Sequence, residues 1–90
     1  MDVGREIRKA IETGAVKLGV DQTKKAVREG SAKLVILSKN CPDEFLSNQT
    51  QTRTLRFDGT NTDLGSACGK PFSISVLAVL EPGESEILGA

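Results

Sequence analysis

The stretch KLGVDQTKKAVREG, Lys17 to Gly30, places Gly19, Asp21, Gln22 and Thr23 where a short apolar run gives way to a helical pattern carrying Lys24, Lys25 and Arg28. A strand-to-helix corner of this kind exposes backbone N–H groups at a helix N-terminus, where an anion or a polar base edge can dock. The junction is therefore a candidate binding surface. The same residues also have plainer uses: Gly19 in a tight turn, Thr23 as a cap, and the three cations as a solvated face.

Catalytic chemistry finds less support. The chain has no histidine, which removes the commonest general base and the commonest metal ligand together. GSACGKP resembles a phosphate-binding P-loop, but that motif needs four residues between its glycines and Ser or Thr after the Lys. Here Gly65 and Gly69 enclose three residues, and Pro71 follows Lys70. Cys41, near a helix N-terminus, could have some thiolate character, but no base is identifiable beside it. Cys41 and Cys68 lie far apart without a second pair, which argues against a zinc site and, in a reducing compartment, against a disulfide. Both read as buried or semi-buried thiols. Asn48-Gln49-Thr50 matches a glycosylation sequon, a match without weight where no secretory signal accompanies it.

Ninety residues with 38% hydrophobic content suit one domain, residues 1–90, with a single modest core. Twelve basic and twelve acidic residues cancel, so attraction for nucleic acid has to come from clustering. The N-terminal MDVGREIRKAIETG is charged throughout and has no apolar stretch fit for a signal peptide or membrane span. A cytosolic setting is expected.

The elements that must position the junction alternate. Val3, Ile7, Ala10 and Ile11 recur at helical spacing up to Thr13-Gly14, predicting a helix over 2–13. AVKL is a short strand, and Asp21 or Gln22 opens a second helix running to Gly30. AKLVILSK is a near-continuous apolar run of the kind found in strands covered on both faces. Asn40-Cys41-Pro42 marks a turn, with a helix starting at DEFL that loses its periodicity in SNQTQTRT. TLRF is a strand, Asp58-Gly59 its turn, and Thr60 with Asp63 opens a helix through Ala67 and Cys68. FSISVLAVL is the last strand, and Pro82-Gly83-Glu84-Ser85 leads to a final helical turn around Ile87 and Leu88. The alternation predicts an α/β/α sandwich around a four-stranded mixed sheet.

Taken in order, AVKLGVDQTKKAVREGSAKLVILSKNCP and LRFDGTNTDLGSACGKPFSISVLAVLEPGESEIL resemble the archaeal and eukaryotic large-subunit ribosomal protein family called L-thirty-e, within the wider superfamily of kink-turn RNA-binding proteins. The resemblance covers nearly the whole chain. It implies the same α/β/α sandwich, with an RNA surface at one edge made by three loops. Carried over by position, these are Gly19 to Lys25, Lys39 to Cys41, and Phe57 to Asn61. The implied RNA-binding residues are Gly19, Val20, Asp21, Gln22, Thr23, Lys25, Lys39, Asn40, Phe57, Gly59, Thr60 and Asn61. Lys25 would meet phosphate, and Phe57, at a strand end, would reach a splayed base. On residue type alone Phe57 also suits a core that has few aromatics. The chain departs from the family in carrying Asp21-Gln22 where members often have Asn-Glu, and in a shorter segment between Asp43 and Thr54.

The expectation is a structural component of the large ribosomal subunit in the cytoplasm, binding kink-turn or internal-loop ribosomal RNA and touching neighbouring ribosomal proteins. It is not expected to be an enzyme or to use a cofactor, metal, small-molecule substrate or membrane. Outside the ribosome it is expected to be a monomer. The alternative is a protein-interaction module within a ribonucleoprotein particle.

Overall fold

In the computed structural model, Val3, Ile7, Ala10 and Ile11 line one side of helix α1, Val3–Thr13, and pack against the core. Asp2 caps this helix by accepting the Arg5 N–H at 3.2 Å, and the Gly14 N–H closes it on the Ala10 carbonyl at 2.8 Å. The structure describes residues 2–39 and 52–89. Asn40, Cys41, the helix expected at DEFL and the Asn48 sequon lie outside the described residues.

Strand β1, Ala15–Leu18, leads through Gly19 into α2, Val20–Glu29. The first helical residue is thus Val20, one or two positions before the Asp21 or Gln22 start expected from the sequence, because Gly19 itself serves as the N-cap. Gly30 ends α2 with its N–H on the Ala26 and Val27 carbonyls. Strand β2, Leu34–Leu37, is buried along its whole length, as its apolar run implied. Strand β3 is Thr54–Arg56. Helix α3, Asn61–Ala67, opens with a capping box in which the Thr60 hydroxyl accepts the Asp63 N–H and the Asp63 carboxylate accepts the Thr60 N–H. Cys68 caps its C-terminus. GSACGKP is therefore a helix end, and the P-loop likeness has no structural counterpart. Strand β4 is Val76–Glu81, and a 3-10 turn at Ile87–Gly89 follows.

The sheet order is β1-β4-β2-β3, with β4 antiparallel to both β1 and β2, and β2 parallel to β3. Side chains alternate across it. Leu34, Ile36, Leu77 and Val79 meet Ile7, Ala10, Leu64 and Ile87 on the α1–α3 face, whereas Val35, Leu37 and Val76 meet Val27 on the α2 face. Helices cover both faces, giving the α/β/α sandwich.

The strand expected from Phe72 starts four residues later, at Val76. The intervening segment crosses α3 at Gly65, where an added Cβ would stand 2.0 Å from the Phe72 carbonyl oxygen. That contact holds Phe72 and Ser73 on the helix and out of the sheet. The chain's end is fixed by a carboxylate that sequence patterning left unremarked. Buried Glu6 accepts the Glu86 N–H at 2.7 Å, while the Ser85 hydroxyl donates to the Glu6 main-chain carbonyl at 2.6 Å and accepts the Ile87 N–H at 3.1 Å. One helix-one side chain thereby anchors the PGESEIL turn.

Candidate functional site

The three loops singled out in the sequence follow the C-terminal ends of β1, β2 and β3, and the strand order brings these ends to one side of the sheet beside the start of β4. Backbone hydrogen bonds link them. The Gly19 N–H donates to the Val76 carbonyl at 3.0 Å, Ser38 to Ser75 at 2.8 Å, Phe57 to Leu37 at 2.7 Å, and Lys39 to Gly59 at 2.7 Å. Ile74 donates to Asn61 at 2.9 Å, tying the lead into β4 to the start of α3. With neighbouring strands about 4.8 Å apart, the β1 and β3 loops stand roughly 14 Å from each other. The surface is therefore a shallow platform several nucleotides wide at most.

At one end of the platform, Gly19 has φ 96° and ψ 166°, a conformation that only glycine adopts without strain, and an added Cβ would meet nothing within 4 Å. Backbone conformation, not crowding, thus selects glycine here, and the space before its Cα is open. Gly19 supplies no side-chain cap to α2, so the first-turn N–H groups keep their positive potential for a ligand. Asp21, Gln22 and Lys25 are exposed around that turn.

Val20 and Thr23 behave differently from their neighbours. Val20 is half-buried against the Val27 cluster. Thr23 is fully buried, and its hydroxyl has no hydrogen-bond partner. Helical periodicity turns this side chain toward the sheet four residues before Val27, so a contact at Thr23 would be made by its backbone.

The middle of the platform carries Lys39, which is exposed; Asn40 and Cys41 lie outside the described residues. At the far end Thr60 is exposed but its side chain is engaged with Asp63, while Gly59 and Asn61 are half-buried. Phe57 is half-buried, packed on the α1–α3 core, with its ring edge 2.8 Å from where a Gly59 Cβ would stand. It forms a wall of the turn more than a free-standing ring.

The ring that does stand free is Phe72, 56% exposed and the exposed large hydrophobic side chain among the described residues. It sits on the α3–β4 connection two residues before Ile74, whose amide is bonded into the platform. The sequence reading assigned it to a strand.

Among the described residues, the hydroxyls that meet carboxylates, Thr60 with Asp63 and Ser85 with Glu6, are engaged in capping a helix and fixing a turn. Burial pushes the Cys68 thiol up to about 11, with Lys70 opposing only in part, so it is protonated at neutral pH and inert. Among the described residues no group of three or more metal-ligating side chains occurs, and no helix is long and apolar enough to cross a membrane. Helix N–H groups, Lys25 and Lys39, the Gln22 amide and an exposed ring together suit a polyanion that also presents unstacked bases.

Comparison with known proteins agrees in kind. Residues 1–89 match the family described as the ribosomal protein L7Ae/L30e/S12e/Gadd45 family. The chain is 47% identical over 91 residues to large ribosomal subunit protein eL30 of Methanospirillum hungatei, covering 98% of this chain and 96% of that protein. It is 45% identical to eL30 of Methanoregula boonei, covering 98% and 94%, and 41% identical to eL30 of Methanosarcina mazei, covering 100% and 89%.

Proposed function

This chain belongs to the ribosomal protein L7Ae/L30e/S12e/Gadd45 family, and from that premise we propose that it is a structural component of the large ribosomal subunit that binds kink-turn, internal-loop ribosomal RNA. It acts as a single domain over 1–90, a monomer before assembly into the cytoplasmic ribosome, where neighbouring ribosomal proteins flank it. The reading contains no catalytic step and no cofactor.

The observation that carries it is the hydrogen-bonded platform: Gly19, Lys39 and the Phe57–Asn61 turn are held together through Val76, Leu37 and Gly59. Phosphates meet the α2 N-terminus, Lys25 and Lys39. Base edges meet Gln22 and the exposed Asp21, with Asn40 placed next in the chain after Lys39. The Phe72 ring stacks on a splayed base, and Phe57, Gly59, Thr60 and Asn61 shape the opposite wall. Thr23 and Val20 support the surface from beneath. A sharply bent RNA fits because a platform roughly 14 Å across offers no long track to a straight duplex.

Amide chemical-shift mapping during titration with a kink-turn RNA tests the assignment. Shifts should concentrate at 19–25, at Lys39, at 57–61 and around Phe72. Lys33 and Glu81, which pair at 2.9 Å at the other end of the sheet, should remain still. Shifts centred on Lys33 and Glu81 would place the interface elsewhere.

A further inference from the structure

A groove of about 260 Å³ lies beside the platform, lined by Lys17, Gln22, Lys25, Ala26, Glu29, Ser31 and Leu80. Its helix wall is a regular stripe. Gln22, Lys25, Ala26 and Glu29 fall at i, i+3, i+4 and i+7, one face of α2. Its other wall is the edge strand β1. Val16 and Leu18 pack toward the α1 side of the sheet, so the alternation of the strand turns Lys17 to the α2 side. Leu80 follows the same logic after Val79. The sheet edge therefore extends past the apolar contact of α2, and beside the apolar Ala26 and Leu80 the corner is lined by Lys17, Gln22, Lys25, Glu29 and Ser31.

Two features say what could occupy it. Lys17 and Lys25 approach it from opposite walls, and among the described residues neither is in an ion pair. Both are exposed, so the cost of desolvating an ion is not an obstacle to their using an anionic ligand. The groove also begins at Gln22 and Lys25, residues of the proposed RNA surface, so a strand leaving the platform along α2 enters it directly. Glu29 stands toward the Ser31 end of the stripe. Its negative charge limits the cationic part of the groove to the stretch among Lys17, Gln22 and Lys25, room for one phosphate and not a run of them.

We infer that this groove holds one backbone phosphate of the RNA strand flanking the internal loop, clamped between Lys17 on β1 and Lys25 on α2. The inference rests on the RNA-binding reading and extends its footprint around the edge of the sheet. Lys17 adds affinity without base information, because a phosphate contact is independent of sequence.

The test compares two RNAs: a minimal internal loop, and the same loop with its strands lengthened on both sides. Lys17→Ala should weaken binding of the lengthened RNA severalfold and reduce its slope of log affinity against log salt by roughly 0.7 to 0.9. Binding of the minimal RNA should stay at the wild-type value, and Lys17→Arg should restore both affinity and slope. Lys33→Ala, just beyond the Ser31 end of the groove and already paired with Glu81, should change neither. An unchanged slope and affinity for the lengthened RNA in folded Lys17→Ala would overturn the inference and leave the platform reading standing. Equal weakening with both RNAs would also overturn it, by placing the phosphate inside the loop. Failure of the wild-type protein to bind either RNA would remove the platform reading and this inference together.

Discussion

The Lys39 N–H donates to the Gly59 carbonyl at 2.7 Å, and this bond joins the loop leaving β2 to the turn leaving β3. Since β2 and β3 are parallel neighbours, their C-terminal ends already share one side of the sheet, and the bond makes their loops one surface. Gly19 is joined to the same surface through Val76, which is paired with Leu37. A binding site built this way is preorganised by the ladder itself.

Gly19→Ala tests the corner where that surface begins. At φ 96° and ψ 166° a side chain is strained even though the space around it is open, at a cost of about 1–3 kcal/mol. The denaturant midpoint should fall with an unchanged slope of unfolding free energy against denaturant. A midpoint equal to the parent's would mean that the corner relaxes without penalty.

The two phenylalanines near the platform should separate. Phe72→Ala removes an exposed ring and should weaken RNA binding by roughly 1–3 kcal/mol with little effect on the melting temperature. Phe57→Ala opens the edge of the core and should lower stability by somewhat less than the roughly 3–5 kcal/mol of a fully buried phenylalanine. Calorimetry on both variants together with RNA titration would detect the reverse pattern, which would make Phe57 the stacking ring.

Much of this was legible in the residues. Apolar spacing marked α1, the run LVIL marked the doubly covered β2, and Thr60 with Asp63 marked the start of α3, because each signal is local. The start of β4 was not legible: FSIS alternates as a strand does, and only the approach of the Phe72 carbonyl to Gly65 diverts it. The burial of the Thr23 side chain was hidden for a related reason. Its type suits a helix start, and its burial depends on how α2 lies on the sheet. The role of Glu6 was hidden because its partners, Ser85 and Glu86, are about eighty residues away in the chain.

Glu6 gives a pH prediction. The Glu86 N–H, aided by Lys9, Ser85 and Arg5 and opposed by burial, holds its carboxyl below the ordinary value of 4.5. A carboxyl depressed in the folded state contributes stability above its unfolded value and loses it as pH falls through the folded one. Urea unfolding from about pH 6 to about pH 3 should show stability declining on the acid side. Glu6→Gln should be less stable at neutral pH and show a shallower acid decline. An acid limb identical to the parent's would mean that Glu6 is not the linked group.

Lys25 and Gln22 should act in different ways. Lys25→Ala should weaken binding to every kink-turn tested and reduce the salt slope by somewhat less than one unit. Gln22→Ala should alter discrimination between RNAs at nearly constant slope, since a neutral amide displaces no counterion. Titration calorimetry at three salt concentrations separates the two. Wild-type slope and preference in both variants would reduce the junction to a helix cap.

The central claim is recognition of bent RNA by the Gly19–Lys39–Phe57 end of the sheet, and the most direct measurement is the affinity of the purified protein for a kink-turn RNA and for a straight duplex of matched length at one moderate salt concentration. The account predicts clear preference for the kink-turn, narrowed by Phe72→Ala. Equal affinity for the two RNAs would contradict it.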